Sequence, residues 1–273
     1  NPAAPHQWIE YDNLDRVVQR GLFSSVPSSI GGTTESTRGL YAESQYSQRG
    51  LLYKQRVAID ATSLSAGFLE SNYWFDSEGR TIAEWAPNSP GTKKVLDAHG
   101  RTKTLCVTDR KDDNAPGDSN NYTHASEFTN DIILEQTEFT YGGGSVPWPD
   151  RLVLTKTLRR NHDETAVGGL VASGTGAMGI ATYVGYYYDS ALRRTHTVAF
   201  GTNATSGIFQ NDSAPTWPPS TLTPPSFGES QIVSAVEYGS RGLVARSIDP
   251  RQHATEYRYD DLSRRIAVIE NAQ

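Results

Sequence analysis

Glu256-Tyr257-Arg258-Tyr259-Asp260-Asp261-Leu262-Ser263-Arg264-Arg265-Ile266 is the stretch from which the rest of the chain is read. Tyr257 and Tyr259 lie two apart and so share one face of a strand. Asp260 opens a turn, because an Asp side chain can bond its own backbone two residues on. Arg264, Arg265 and Ile266 start a return strand. The pattern is one β-hairpin: aromatic strand, Asp turn, then a basic and apolar strand. Rings of successive hairpins are expected to stack on one face, so that stability comes from aromatic burial. Asp260 and Arg264 would flank the turn as an exposed ion pair, which fixes turn geometry more than it stabilises.

The same frame recurs upstream as Tyr11-Asp12-Asn13-Leu14-Asp15-Arg16-Val17, Phe75-Asp76-Ser77-Glu78-Gly79-Arg80-Thr81, Leu96-Asp97-Ala98-His99-Gly100-Arg101-Thr102 and Tyr188-Asp189-Ser190-Ala191-Leu192-Arg193. Degenerate copies lose the Asp or the Arg: Tyr46-Ser47-Gln48-Arg49-Gly50-Leu51, Tyr238-Gly239-Ser240-Arg241-Gly242-Leu243 and Tyr141-Gly142-Gly143-Gly144. Together these make eight units, the signature of a repeat architecture. Asp76 and Asp97 are 21 residues apart, as are Gly239 and Asp260. Such a unit holds two short strands and two turns. The residues expected to carry the repeat are Tyr11, Asp12, Arg16, Phe75, Asp76, Gly79, Arg80, Asp97, Gly100, Arg101, Tyr188, Asp189, Arg193, Tyr257, Tyr259, Asp260 and Arg264.

Composition agrees with strands. Hydrophobic residues are 36% of the 273, yet there are 14 Tyr, 5 Trp and 24 Gly, a mixture suited to aromatic pairs on pleated surfaces and frequent turns. A net charge of -6, from 25 basic and 31 acidic residues without a basic run, argues against a nucleic-acid partner. No apolar run is long enough for a membrane-spanning helix, and residues 1–10 lack the basic and apolar regions of a signal peptide. The single cysteine, Cys106, reads as a small buried hydrophobe. The triplets at Asn121, Asn203 and Asn211 fit the glycosylation pattern, but such triplets arise by chance.

Two stretches break the periodicity. Asp109 to Asn121 gathers acidic residues without the ordered frame of a calcium loop, so it reads as a solvated loop, with a Ca2+ site as the alternative; no other cofactor is expected. Ala214 to Phe227 carries five prolines and cannot sit in a central strand. It reads as a rigid surface loop, and Pro147 and Pro149 around Trp148 read the same way. Gly168 to Gly179 is Gly-rich, with no Lys and no following helix to cradle a phosphate; it reads as a flexible or closely packed connection into a strand over Tyr183–Tyr188. The six histidines are scattered singly, His162-Asp163-Glu164 reads as loop, and no Gly-x-Ser-x-Gly elbow occurs. No catalytic, metal-binding or cofactor-binding residues are assigned, and no enzymatic activity is expected. Asp249-Pro250 reads as a turn opener.

The Tyr-Asp frame resembles the YD repeats of Rhs proteins, teneurins and toxin-complex cocoon subunits, whose signature runs approximately Gly-x-x-x-x-Tyr-x-Tyr-Asp-x-x-Gly-Arg-Leu. Tyr257-Arg258-Tyr259-Asp260 is the nearest copy. Ser263, Asp15 and Leu192 stand where that signature has its turn glycine. The resemblance implies a β-sheet wound as a spiral, which in large family members closes into a hollow shell around a C-terminal domain.

The expected fold class is therefore all-β: repeated antiparallel β-hairpins forming a long twisted or spiralling YD-repeat sheet. Residues 1–109 are read as YD-repeat hairpins, 110–121 as the acidic loop insertion, 122–209 as degenerate hairpins, 210–228 as the Pro-rich loop and 229–273 as hairpins again. The expected role is a structural segment of a large secreted or cell-surface protein: shell, stalk or extracellular fibre. A repeat array needs atypical terminal units, and none is apparent, so the expected partners are further repeats of a parent chain or copies of this one, possibly in a filament. A cell-surface or carbohydrate-binding module using loop tryptophans Trp8, Trp85, Trp148 or Trp217 is the alternative, as is the shell part of a polymorphic toxin.

Overall fold

The computed structural model describes residues 5–27, 32–109, 125–143, 148–202, 224, 226–227 and 231–271. Most of the acidic stretch, most of the Pro-rich stretch, Trp217 and the three Asn triplets lie outside the described residues. Seventeen β-strands account for nearly all the regular structure. Among the described residues, helix is confined to a 3-10 turn at Leu64–Ala66 and to residues 125–126. With one short exception the strand pairs are antiparallel, as the hairpin reading requires. No helix among the described residues is long and apolar enough to cross a membrane.

The chain divides into two compact units: Asn1–Val95 with Val107–Asp131, and Leu96–Cys106 with Ile132–Gln273. In the first unit β1(His6–Tyr11), β2(Val17–Phe23), β3(Arg38–Tyr46), β4(Leu52–Ala58), β5(Phe68–Phe75), β6(Thr81–Trp85) and β7(Gly91–Leu96) pair in chain order. The indoles of Trp74 and Trp85 are buried against each other, with ring centroids 4.1 Å apart. Trp85 therefore belongs to the interior, because it faces inward on β6 instead of standing on a loop. Arg38 is also buried; its guanidinium lies over the Tyr41 ring at 4.8 Å and donates to the carbonyls of Gly32 and Ala61. The aliphatic stem is buried while Nε and Nη1 of the head reach backbone carbonyls.

A second buried charge holds this unit together. Lys93 on β7 and Asp131 are both fully buried, with Nζ 2.7 Å from the carboxylate, and the same Nζ donates to the Glu127 carbonyl at 3.0 Å. Two ions removed from water must be paired and hydrogen-bonded together, so the connection around 127–131 is fastened to β7.

The second unit contains most of β8(Thr102–Thr108), which crosses into the first unit after Cys106, and all of β9(Ile133–Tyr141), β10(Leu152–Arg160), β11(Leu170–Val171), β12(Ala177–Tyr188), β13(Arg194–Gly201), β14(Ile232–Tyr238), β15(Val244–Ile248), β16(Ala254–Tyr259) and β17(Arg265–Glu270). From β9 to β17 the pairing is again in order, except that β11 runs parallel to the start of β12 while β10 and β12 pair directly. The Gly-rich stretch thus supplies structure of its own, and β12 begins six residues before Tyr183. Along β12 buried residues alternate with more exposed ones, the period-two pattern of a strand with one face inward. Gly179 is on the buried face, where a Cβ would stand 3.0 Å from the Arg159 carbonyl oxygen. The core of this unit is Trp148, Val153, Tyr187, Val198 and Val233, with Leu192 and Phe227 packed against it. Trp148 is buried against Tyr187 and Tyr188, so a loop tryptophan expected to be exposed anchors the core, as does one end of the Pro-rich stretch. Cys106 is buried, as expected.

Candidate functional site

In a meandering sheet every second turn falls at the same end of the strands, and within each unit the repeat frame occupies that end. Its backbone is constant. At the first frame the Asp12 N–H donates to the Arg16 carbonyl at 2.9 Å, and the Asp15 N–H donates to the Asp12 carbonyl at 3.1 Å. The same two bonds close the turns at Ser47, Asp76, Asp97, Asp189, Gly239 and Asp260. The residue three after the opener has positive φ throughout: Gly50, Gly79, Gly100 and Gly242 at 77–84°, and Asp15, Leu192 and Ser263 at 59–63°. This is a type I turn followed by one left-handed residue. It explains why glycine is preferred there and why three other residues can replace it at a cost in strain.

The expected degenerate copy at Tyr141 keeps the frame across an insertion. The Gly142 N–H donates to the Arg151 carbonyl and the Asp150 N–H to the Gly142 carbonyl, with Asp150 at φ 61°. The turn at Asp249 was legible only as an opener, yet it has the same bonds, closing on His253 with Gln252 at φ 67°. It lies at the opposite end of the strands, between β15 and β16. Proline at its second position suits a type I turn, a signal that Asp249-Pro250 carries in the sequence.

The opener's side chain completes each turn. In Asp12, Asp76, Asp97, Asp189 and Asp260, Oδ1 accepts the N–H groups two and four residues on, while Oδ2 accepts Nε of the arginine four residues on at 2.6–2.8 Å. All five carboxyls are held below the usual carboxylate range. For Asp12 the arginine side-chain bond is the largest cause, and for Asp189 and Asp260 it is the backbone N–H of the same arginine. At Asp76 and Asp97 desolvation is the largest single effect and pushes upward, but the N–H bonds and the guanidinium together outweigh it.

Successive hairpins are then clipped together. Arg16 lies over the Tyr46 ring at 4.7 Å, Arg101 over Tyr141 at 4.3 Å and Arg193 over Tyr238 at 4.4 Å. Each tyrosine precedes the next turn opener, and its hydroxyl donates back to the carbonyl of the residue following that arginine: Tyr46 to Val17, Tyr141 to Thr102, Tyr238 to Arg194. Tyr188 makes the corresponding bond to Leu152, the residue after Arg151, at 2.7 Å. Where the arginine is missing four residues after the opener, one stands two residues after it. Arg49 then donates to the Asp76 carbonyl and Arg241 to the Asp260 carbonyl. The identical Arg-Gly-Leu in both degenerate copies is the sequence signal for this substitution.

The expected stacking of tyrosine on tyrosine is corrected here: at these clips the ring meets a guanidinium. Tyr257 follows neither scheme. Its hydroxyl is 3.2 Å from Ser247 Oγ, and Arg265 lies over its ring at 5.8 Å. Phe75 and Leu96 occupy the tyrosine position without a hydroxyl. Among the described residues, no group of three or more His, Cys, Asp or Glu is disposed to hold a metal ion. The hollow beside Tyr46 is lined by Asp12, Arg16, Gln19, Glu43 and Gln45, whose charged members already serve the turn or bond to Tyr41 and Arg56.

No protein-family profile matches the chain, and no curated protein matches it. Among solved structures, a TcdB2-TccC3 crystal structure is similar with a TM-score of 0.44 and 11% identity, covering 97% of this chain and 12% of the other. The Photorhabdus luminescens Tc holotoxin pore is similar with a TM-score of 0.27 and 10% identity, covering 95% of this chain and 14% of the other. The chain thus spans about an eighth of the length of these structures.

Proposed function

We propose that this chain is a structural β-repeat segment of a large secreted or surface protein, a stretch of wall in a shell, stalk or extracellular fibre, with no catalytic step of its own. The observation that carries the proposal is the turn ladder. One backbone turn is repeated along the strands of each unit, its aspartates close the turn, and arginines and tyrosines join hairpin to hairpin within the unit. Arginine, aspartate and tyrosine used in this way build length; they are not gathered around a cavity. The partners that fit such a sheet are further hairpins of the same frame, in a parent chain or in copies of this one. The resemblance of the Tyr-Asp frame to YD repeats supports a shell, including the shell part of a toxin.

Electron microscopy of the native material, beside an intact mass of the polypeptide, tests the proposal. Hollow particles from a much longer chain are the shell outcome, and filaments of chains near this length the fibre outcome. Compact isolated particles with a hydrolytic or transferase activity would contradict both. The binding-module alternative keeps one described tryptophan at the surface, Trp8, since Trp85 and Trp148 are buried. Substituting Trp8 without loss of glycan or cell binding would remove that basis.

A further inference from the structure

Away from the repeat frame, one hollow in the first unit carries polar groups left without partners among the described residues. Tyr73 on β5 stands directly opposite Glu84 on β6, and Glu84 directly opposite Thr92 on β7, so the three form a row on one face of the sheet. With residues of the corner between Trp85 and Pro90 they line a hollow of about 200 Å³. The corner is braced from within, since the Ser89 hydroxyl reaches the carbonyls of Ala86 and Pro90, both at 3.3 Å. The Thr92 hydroxyl is shut off from solvent without a hydrogen-bond partner. Among the described residues the exposed Glu84 carboxylate makes no ion pair, and neither it nor the Tyr73 hydroxyl makes a hydrogen bond. Lys94, two residues along β7 from Thr92, forms no ion pair with Glu84.

We infer that this hollow receives an arginine side chain of a partner protein, its guanidinium lying over the Tyr73 ring and donating to the Glu84 carboxylate and the Thr92 hydroxyl. The same unit makes this arrangement with its own arginines. Arg16 lies over Tyr46 while paired with Asp12, and Arg56 lies over Phe68 at 4.3 Å while paired with Glu43. In both, a ring and a carboxylate hold one guanidinium. Tyr73 and Glu84 offer the same two groups side by side, and among the described residues no guanidinium engages them. Charge selects the occupant. A carboxylate beside the negative face of a ring attracts a cation. A planar guanidinium can fork both carboxylate oxygens and stack at the same time, which an ammonium cannot. The net charge of -6 adds long-range attraction toward a basic segment. A sugar ring would stack on Tyr73 but leave the charge of Glu84 uncompensated. The inference goes beyond the wall-segment reading and holds equally for shell, stalk or fibre.

The test is titration of the 273-residue chain with a short Gly-Ser peptide carrying one arginine, followed through the amide NMR signals of Tyr73, Glu84 and Thr92. The account expects these signals to shift with a dissociation constant on the order of 1 mM. The same peptide with lysine should bind about threefold more weakly or worse, and with citrulline, which keeps the shape and lacks the charge, it should shift nothing. Glu84→Gln should weaken the arginine peptide about tenfold and Tyr73→Leu about threefold. Glu84 is exposed, so Glu84→Gln should melt with the parent, and its loss of binding is then not a loss of fold. An arginine peptide that leaves the three amides in place overturns the inference, as does binding that lysine or citrulline matches or that Glu84→Gln does not weaken. Shifts of the same amides by methyl glycosides, and not by the arginine peptide, would replace it with a sugar site. None of these results alters the electron microscopy on which the wall-segment reading stands or falls.

Discussion

Each repeat frame turns on the residue three after its opener, where a left-handed backbone is required. Ser263 at φ 63° and Asp15 at φ 59° occupy it with a Cβ, which costs about 1–2 kcal/mol relative to glycine, offset in part by the greater freedom of an unfolded glycine. Ser263→Gly should therefore stabilise the chain by roughly 0.5 kcal/mol, seen as a higher urea midpoint; a lower midpoint would contradict the strain. Leu192→Gly should not do the same, since Leu192 packs on the core around Tyr187 and Val198. In the sequence these three residues stand as departures from a glycine signature. The departure was visible there, while its tolerance depends on a φ that only the folded turn displays. The stacked arginines are the second residue-scale feature. A double-mutant cycle between Arg193→Ala and Tyr238→Phe or Tyr238→Ala should show coupling of about 0.5–1 kcal/mol with the alanine partner, and less with phenylalanine, which keeps the ring.

At the scale of elements, hairpins and their turns could be read from local pattern because the turn chemistry lies within five consecutive residues. What joins them could not, because it is set by register. Nothing local says that Tyr46 reaches Val17 or that Arg241 reaches Asp260. The buried pair of Lys93 and Asp131 was equally hidden: Lys93 stands among charged and polar neighbours in sequence, and only the strand's facing and the return of the chain to it put both groups out of water. Lys93→Ala leaves the Asp131 carboxylate buried beside an empty site and should cost about 3–5 kcal/mol. Replacing both, Lys93→Met with Asp131→Leu, should recover most of that loss in denaturant unfolding. A single substitution that costs nothing would contradict the placement. The burial of Trp85 and Trp148 is hidden in the sequence for a related reason: they have polar and proline-rich neighbours, yet packing against Trp74 and Tyr187 draws them inward.

Over the whole molecule the repeated carboxylates make stability depend on pH in a defined direction. Asp12, Asp76, Asp97, Asp189, Asp249 and Asp260 all titrate below their ordinary value when folded. Each therefore contributes stability that is present above the unfolded pKa, about 3.9, and is lost as pH falls through the depressed folded value. From these groups the urea midpoint should be level between pH 7 and 5 and should drop below about pH 4; a midpoint unchanged to pH 3 would contradict the turn geometry. The central claim is that successive hairpins are held by tyrosines clipped to the preceding turn. It is tested most directly by measuring the unfolding free energy of single Tyr→Phe variants along the chain. Tyr46→Phe, Tyr141→Phe, Tyr188→Phe and Tyr238→Phe each lose one hydroxyl bond to a carbonyl and should each cost about 0.5–1.5 kcal/mol, while Tyr11→Phe, which loses no such bond, should cost nothing. Equal stability across all five variants would mean that the clips do not hold the array together.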